Sequence, residues 1–127
     1  MDSHEEPKLA RQSAMTLDPA DPFEAAIEKL VQMNRRKRRD YAHDSNPFSN
    51  FEATARRAGF RNRWQSAIFN CDQKLERLSA LVANGRADNP TNESVEDTLL
   101  DNAVYAVLAY AMHREDATPK AANERAH

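Results

Sequence analysis

Three carboxylates at helical spacing are the residues of this sequence with the clearest capacity for chemistry. Glu93, Asp97 and Asp101 follow one another at intervals of four, which places them on one ridge of an α-helix. Like charges at this spacing cost a helix about 0.2–0.5 kcal/mol per pair, so the row calls for compensation. The segment turns apolar from Val104 onward, and we therefore expect the acids to border the core.

Two interpretations of the acidic row are open. In the first, hard oxygen ligands hold Mg²⁺ or Mn²⁺, and the metal in turn holds a phosphate chain. In the second, the acids complement the dipole of a helix N-terminus, and Asp101 pairs with a lysine or an arginine. Spacing alone favours the second, because acids are common in first turns.

Composition limits the class of protein. A chain of 127 residues with only 2 glycines and 40% apolar residues favours one helical domain over a sandwich or barrel. The net charge of −2 is not that of a typical nucleic-acid-binding module. The single cysteine, Cys71, excludes an internal disulfide and fits a reducing compartment. With no apolar run near 18 residues and a polar N-terminus, we expect no membrane span, no signal peptide and a cytoplasmic location.

The pattern predicts a small all-α bundle of three main helices plus a short one. The domain occupies residues 21–114, between a disordered arm (residues 1–20) and a disordered tail (residues 115–127). The first helix begins with Asp21 as its cap and Glu24 as the capping-box partner, and it ends at Tyr41. The short helix, from Glu52 to Ala58, stops at Gly59.

The next helix has the clearest apolar stripe, which we expect in the core, and Asn84-Gly85 ends it. The acidic helix follows. The stripe consists of Trp64, Ile68, Cys71, Leu75, Leu78 and Val82.

Two further features have competing interpretations. Asn50 lies between Phe48 and Phe51, where its amide either ties the loop together or faces a ligand. The basic run of residues 35–39 points all round a helix axis, which favours a solvated helix end over a nucleic-acid surface or an import signal.

Four short motifs together resemble a known family. They are Arg39-Asp40-Tyr41, Asn46-Pro47-Phe48-Ser49-Asn50-Phe51, Lys74-Leu75-Glu76-Arg77-Leu78, and Asn92-Glu93-Ser94 followed by Asp97-Thr98-Leu99-Leu100-Asp101 and Tyr105. Their order, over roughly residues 23–113, resembles the phage-encoded nucleotide modification associated domain. That family is distantly similar to the all-α nucleoside triphosphate pyrophosphohydrolases of the MazG and dimeric dUTPase group.

The resemblance implies an all-α bundle completed by oligomerisation, as a homodimer or larger, that acts on a nucleotide or modified nucleotide. It implies Mg²⁺ (or Mn²⁺) at Glu93, Asp97 and Asp101, which would also be the catalytic residues. Six residues would bind the nucleotide: Lys74 and Arg77 at the phosphates, Asn50 and Tyr41 at the base or sugar, and Asp40 and Arg39 beside Tyr41.

Two main functional hypotheses follow. The first is Mg²⁺-dependent cleavage of a nucleoside triphosphate to the monophosphate and pyrophosphate. The second is a non-catalytic protein that binds a nucleotide and sequesters it, for instance as a signal of host defence. The helix-borne Glu-x-x-Glu partner of the group is not plainly present, since Asp72 and Glu76 are four residues apart. A third and weaker hypothesis is a nucleic-acid accessory protein acting through residues 35–39.

Overall fold

Four α-helices make up most of the described chain. A computed structural model describes residues 16–41, 46–88 and 93–118. The helices are α1 (Pro22–Tyr41), α2 (Ser49–Ala58), α3 (Trp64–Ala83) and α4 (Glu93–Ala117), with a short 3₁₀ turn at Arg86–Asp88. The described ranges contain no strand, so the predicted all-α class is confirmed. None of the described helices is long and apolar enough to cross a membrane.

The start of α1 is fixed by side-chain hydrogen bonds. The carboxylate of Asp21 accepts the backbone N–H groups of Phe23 at 2.8 Å and Glu24 at 3.2 Å, which confirms Asp21 as the cap. Glu24 does not complete a capping box. Its carboxylate instead accepts the N–H of Asp18 at 2.8 Å and fastens the turn that precedes the helix.

Glycines close α2 and α3 where the sequence predicts. Gly59 has φ 75° and Gly85 has φ 72°, in the left-handed region that favours glycine. The start of α2 differs from the prediction, because the helix begins at Ser49 and not at Glu52. The Oδ1 of Asn46 accepts the N–H of Phe48 at 3.0 Å, and this turn leads directly into the helix.

Antiparallel α3 and α4 form the centre of the bundle. The rings of Trp64 and His113 meet edge to face with centroids 5.5 Å apart, which sets the two helices level at one end. The hydroxyl of Ser66 donates to the backbone oxygen of Phe51 at 2.8 Å and attaches α2 to α3. Phe51, Ala67, Ala109 and Met112 form one buried cluster, with Phe48, Trp64, Tyr105 and Leu108 packed against it, and Ala55 and Val104 are buried as well.

The predicted core stripe of α3 is wrong in part. Ile68, Leu75 and Val82 are 48%, 51% and 65% exposed. The side of α3 that faces α4 is a neighbouring line of residues, which includes Ala67 and Lys74. Ala67 is fully buried, and Lys74 forms a salt bridge with Asp101 of α4. A small residue at this contact lets the two helix backbones approach closely, and half of the apolar stripe is left on the surface.

Arg63, directly before α3, ties the ends of three helices together. Its guanidinium bonds Glu52 of α2 at 3.0 Å, and Glu115 and Asp116 of α4 at 2.7 and 2.8 Å. The side chain is 14% exposed and lies over the ring of Phe48 at 5.1 Å. Burial alone would lower the pKa of Arg63, but the hydrogen bonds to the carboxylates outweigh it and raise that pKa.

These contacts explain where α4 ends. We expected the tail to begin at residue 115, yet the helix continues to Ala117. Glu115 and Asp116 both bond Arg63, so the last turn is held against α3. An ionic contact between residues 52 positions apart in the sequence leaves no local pattern from which to predict it.

We expect Arg63→Ala to lower the free energy of unfolding by about 3 kcal/mol, because three carboxylates would lose their shared cation in a partly buried site. Urea unfolding followed by circular dichroism measures the change. The matched control is Arg61→Ala, an exposed arginine two residues away, for which we expect a change within about 0.5 kcal/mol. Equal effects of the two substitutions would contradict the structural role given to Arg63.

Candidate functional site

Asp101 lies where α1, α3 and α4 meet. Its Oδ1 is 3.0 Å from the Nζ of Lys37 on α1, and its Oδ2 is 3.2 Å from the Nζ of Lys74 on α3. The carboxylate is 21% exposed, and the two lysine side chains are 25% and 31% exposed. Both carboxylate oxygens are therefore engaged by cations in a partly buried setting. This is the pairing expected from the second interpretation of the acidic row.

Lys37 is held from two sides. Besides Asp101, its ammonium lies over the ring of Tyr105, 5.3 Å from the centroid, at a distance typical of a cation–π contact. Burial alone would lower the pKa of Lys37, but the hydrogen bond to Asp101 and the electrostatic interactions with Tyr105 and Asp101 outweigh it, so the pKa is raised. Lys37 thus keeps its positive charge at neutral pH.

The structure describes the side chains of two of the three predicted metal ligands, Asp97 and Asp101. Asp97 is exposed one turn before Asp101, and the side chain of Glu93 lies outside the described part of the chain. Across the described residues, no group of three or more histidine, cysteine or acidic side chains could hold a metal ion. Both oxygens of Asp101 are bonded to lysines, so a metal ion bound by this carboxylate would have to displace one of them. A metal-binding or catalytic role for Glu93, Asp97 and Asp101 stays a prediction.

A pocket opens beside Lys37, between α1, the start of α2 and α4. Its volume is about 370 Å³, counting space that is continuous with solvent. A sphere the size of a water molecule can occupy about 50 Å³ of it, well below the roughly 300–1,000 Å³ of enclosed small-molecule sites, so the pocket is an open cleft from which part of a ligand would extend into solvent. The lining combines two cations, two amides and two aromatic rings with apolar side chains: Asn34, Lys37, Arg38, Pro47, Asn50, Phe51, Tyr105 and Leu108.

The aromatic wall of the pocket is ordered by packing. The rings of Phe51 and Tyr105 meet edge to face, with centroids 6.1 Å apart. Phe51 is buried at 8% exposure, so this wall is continuous with the protein core. A ligand in the pocket would therefore meet a fixed apolar surface on one side and cationic and amide groups on the other.

Among the predicted nucleotide-binding residues whose side chains the structure describes, only Asn50 lines the pocket. Its side chain is exposed, which favours the ligand-facing interpretation over the loop tie. The tie is supplied by Asn46, whose amide donates to Glu52 at 3.0 Å. Lys74 lies on the far side of Asp101 from Lys37, and Arg77 is exposed on α3 outside the pocket lining.

The remaining predicted nucleotide-binding residues, Arg39, Asp40 and Tyr41, lie in the last turn of α1. Arg39 is exposed in the last turn of that helix and is not among the lining residues of the pocket. Asp40 and Tyr41 belong to the same turn, but their side chains lie outside the described part of the chain, so their predicted role is neither supported nor contradicted.

Apart from Asn50, the sequence assigned no lining residue of the pocket to a binding site, and the polar and aromatic ones it missed include Asn34, Lys37, Arg38 and Tyr105. One signal was present for Asn34, since it interrupts the apolar stripe of α1 four residues after Leu30. Arg38 lay within a run of five basic residues, and only the placement of α1 decides which of them faces a cavity. Tyr105 follows Asp101 by one helical turn, which brings its ring beneath the same lysine.

Cys71 is a packing residue, as predicted. Its thiol donates to the backbone oxygen of Asn102 at 3.7 Å, and burial raises the pKa of this thiol. A raised pKa keeps the sulfur protonated and weakly nucleophilic. Next to it, the Oδ1 of Asn102 is buried with no hydrogen-bond partner among the described residues, and nothing in the structure explains that atom.

We expect Asp101→Asn to lower the free energy of unfolding by about 2 kcal/mol, because Lys37 and Lys74 would face each other without a counter-charge. Thermal and urea unfolding both measure this. Asp97→Asn, on the same ridge but exposed, is the matched control and should change stability by less than about 0.5 kcal/mol. An unchanged stability of Asp101→Asn would contradict the proposed joint between the three helices.

Comparisons with known proteins add no family assignment. No family model matches the chain, and neither the curated proteins nor the solved structures contain a significant match. The resemblance to nucleotide-processing domains therefore rests on the four short motifs alone, and the case for function rests on the geometry of the pocket.

Proposed function

We propose that this protein binds a nucleotide in the pocket between α1, the start of α2 and α4. The observation that carries the proposal is the convergence of two cations, two amides and two aromatic rings on one open cleft. A nucleotide combines the complementary groups, namely an anionic phosphate, polar sugar hydroxyls and a flat heterocycle with a polar edge.

The phosphate end is assigned to Arg38 and Lys37. Arg38 is exposed and has no acidic partner in the described ranges, so its guanidinium is available for bidentate contact with phosphate oxygens. Lys37 already forms a salt bridge with Asp101, so its main contribution is a fixed positive potential at the pocket wall. Two basic residues one position apart on α1 point in different directions, and the cavity lies between them.

The base and sugar are assigned to the other side of the pocket. Phe51 and Tyr105 provide ring surfaces, and each asparagine amide offers one acceptor and two donor hydrogens. Asn34 and Asn50 can thus meet either the edge of a base or the hydroxyls of a sugar. This assignment keeps the base-binding role that the sequence suggested for Asn50 and gives it Asn34 as a companion.

Binding without chemistry is the better supported of the two main hypotheses. That hypothesis expects the acids to pair with basic side chains, and Asp101 holds Lys37 and Lys74 at 3.0 and 3.2 Å. In this proposal Asp101 positions Lys37 at the wall of the pocket. The protein would hold a nucleotide or modified nucleotide and thereby withdraw it from other proteins.

Hydrolysis of a nucleoside triphosphate to the monophosphate and pyrophosphate is the second candidate. The observation in its favour is Asp97, an exposed carboxylate one helical turn from Asp101, in the motif that most resembles the pyrophosphohydrolase-like family. It predicts pyrophosphate release that requires a divalent metal and that Asp97→Asn abolishes.

We expect calorimetric titration of a panel of nucleoside mono-, di- and triphosphates and cyclic dinucleotides to find a ligand whose binding survives EDTA. Arg38→Ala should weaken this binding at least about tenfold, since a charge-assisted hydrogen bond of about 1.5–3 kcal/mol would be lost. Arg35→Ala is the matched control, because Arg35 is exposed on the same helix outside the pocket lining, and it should leave the affinity unchanged.

Three outcomes would count against the proposal. Equal losses in the two arginine variants would point to diffuse attraction, which falls steeply with salt. No binding across the panel by folded protein would remove the pocket assignment. Binding that EDTA abolishes, together with metal-dependent pyrophosphate release, would establish the second candidate in its place.

A further inference from the structure

A second cleft opens where α2, the start of α3 and the end of α4 meet. We call it the arginine cleft, and it shares no lining residue with the nucleotide pocket. A sphere the size of a water molecule can occupy about 570 Å³ of it, compared with about 50 Å³ of the nucleotide pocket. The arginine cleft therefore has room for a long ligand that lies along the surface. Its lining consists of Glu52, Arg56, Arg61, Asn62, Arg63 and Asp116.

Two of the three guanidinium groups in the arginine cleft are available to bind an anion. Arg63 is bonded to Glu52 and Asp116 at 3.0 and 2.8 Å, so both acidic residues of the lining already hold a cation. Arg56 and Arg61 are exposed and form no ion pair with a described residue. Two such cations on one cleft attract an anion, and a planar guanidinium matches the paired oxygens of a phosphate.

The turn between α2 and α3 holds the backbone of Arg61 in place. On one side of it, the N–H of Phe60 donates to the backbone oxygen of Ala55 at 2.9 Å, as in a common way of ending a helix. On the other side, the N–H of Asn62 donates to the side-chain oxygen of Gln65 at 2.9 Å. Only the side chain of Arg61 would need to be ordered when a ligand binds, which lowers the entropic cost of binding.

A pair of aromatic rings adjoins the arginine cleft. Phe60 directly precedes Arg61 in the chain, and its ring packs against that of Phe69 on α3, with the centroids 6.0 Å apart. Phe69 is 48% exposed, so part of a large apolar ring faces solvent close to the cations. Exposed rings beside basic side chains are the surfaces on which unpaired bases stack.

We propose that the arginine cleft binds the phosphate backbone of a single-stranded nucleic acid, with a base stacked on the ring of Phe69. Arg56 and Arg61 supply the phosphate contacts. A duplex keeps its bases inside the stack, and an acidic peptide has no flat bases, so neither would use the exposed ring. The combination of cations and ring therefore favours a single strand over both.

This surface is distinct from the basic run of residues 35–39, on which the nucleic-acid hypothesis from the sequence depended. Single strands show a slope of about −0.7 per neutralised phosphate when the logarithm of the association constant is plotted against that of the salt concentration. Two arginine contacts therefore predict a slope of about −1.4. The net charge of −2 opposes long-range attraction, so we expect binding to be measurable at low salt and to depend on the arginine cleft.

The test is the fluorescence anisotropy of a labelled strand of about twelve deoxythymidines, titrated at low salt with the full chain. Arg61→Ala should bind the strand at least about fivefold more weakly than the wild type, with the salt slope reduced to about −0.7. Phe69→Leu keeps the charge and an apolar side chain but removes the stacking surface, so we expect a loss of at least about fivefold. The matched control is Arg35→Ala, which is exposed on α1 outside both linings and should bind like the wild type.

Circular dichroism shows whether each variant is folded. If Phe69→Leu does not fold, Arg56→Ala tests the second cation of the cleft and should reduce the salt slope in the same way as Arg61→Ala. Absence of binding by folded wild type at low salt would overturn the proposal. Equal losses in Arg61→Ala and Arg35→Ala would also overturn it, and so would a duplex or a polyglutamate of the same length that binds as tightly as the single strand.

The same variants separate this proposal from the proposed function. Arg61→Ala should leave the affinity for nucleoside phosphates unchanged, because Arg61 lies outside the nucleotide pocket. Loss of strand binding in Arg38→Ala, with Arg61→Ala unaffected, would place the strand in the nucleotide pocket and overturn the assignment to the arginine cleft. A protein that binds nucleoside phosphates but no strand would contradict only this inference.

Discussion

The carboxylate of Asp101 is the joint on which the arrangement of the helices depends. It is the point where α1 is bonded to α4 through Lys37, while Lys74 brings in α3 through the other oxygen. Because the three side chains are only partly exposed, the attraction is screened less than that of a surface pair. The position of α1 in turn decides that Asn34, Lys37 and Arg38 share a cavity. The salt bridges of Asp101 therefore also hold the proposed binding site in place.

A second polar cluster has the same role at the other end of the bundle. Arg63 gathers Glu52, Glu115 and Asp116, so the first turn of α2 and the last turn of α4 are fixed to the start of α3. Between the two clusters, the helices meet through small residues, with Ala67 and Ala109 both buried. A bundle with so few large buried side chains depends on partly buried charges to fix its helix positions, and it leaves apolar surface uncovered on one side.

Local sequence signals predicted the helices and their ends, but they did not predict the contacts that join the helices. Asp21 as a cap and Gly59 and Gly85 as stops depend on neighbouring backbone groups, and these predictions were confirmed. The stripe of α3 was predicted as core because seven-residue spacing identifies an apolar line but not what covers it, and Leu75 is half exposed. The contacts of Arg63 and the pairing of Asp101 with two lysines join distant parts of the chain, and local sequence patterns carry no signal for such contacts. Of the predicted binding residues, Asn50 reached the pocket because the turn at Asn46 and the buried ring of Phe51 hold its segment there.

The central claim is that a nucleotide occupies the pocket beside Lys37 without a metal. The most direct test is an NMR titration of isotopically labelled protein with a nucleoside phosphate in the presence of EDTA. Binding in the pocket should shift the side-chain amide signals of Asn34 and Asn50 and the guanidinium signal of Arg38, with the amide signals around Asp97 unchanged. Shifts that appear only after Mg²⁺ is added, and that centre on Asp97, would contradict it.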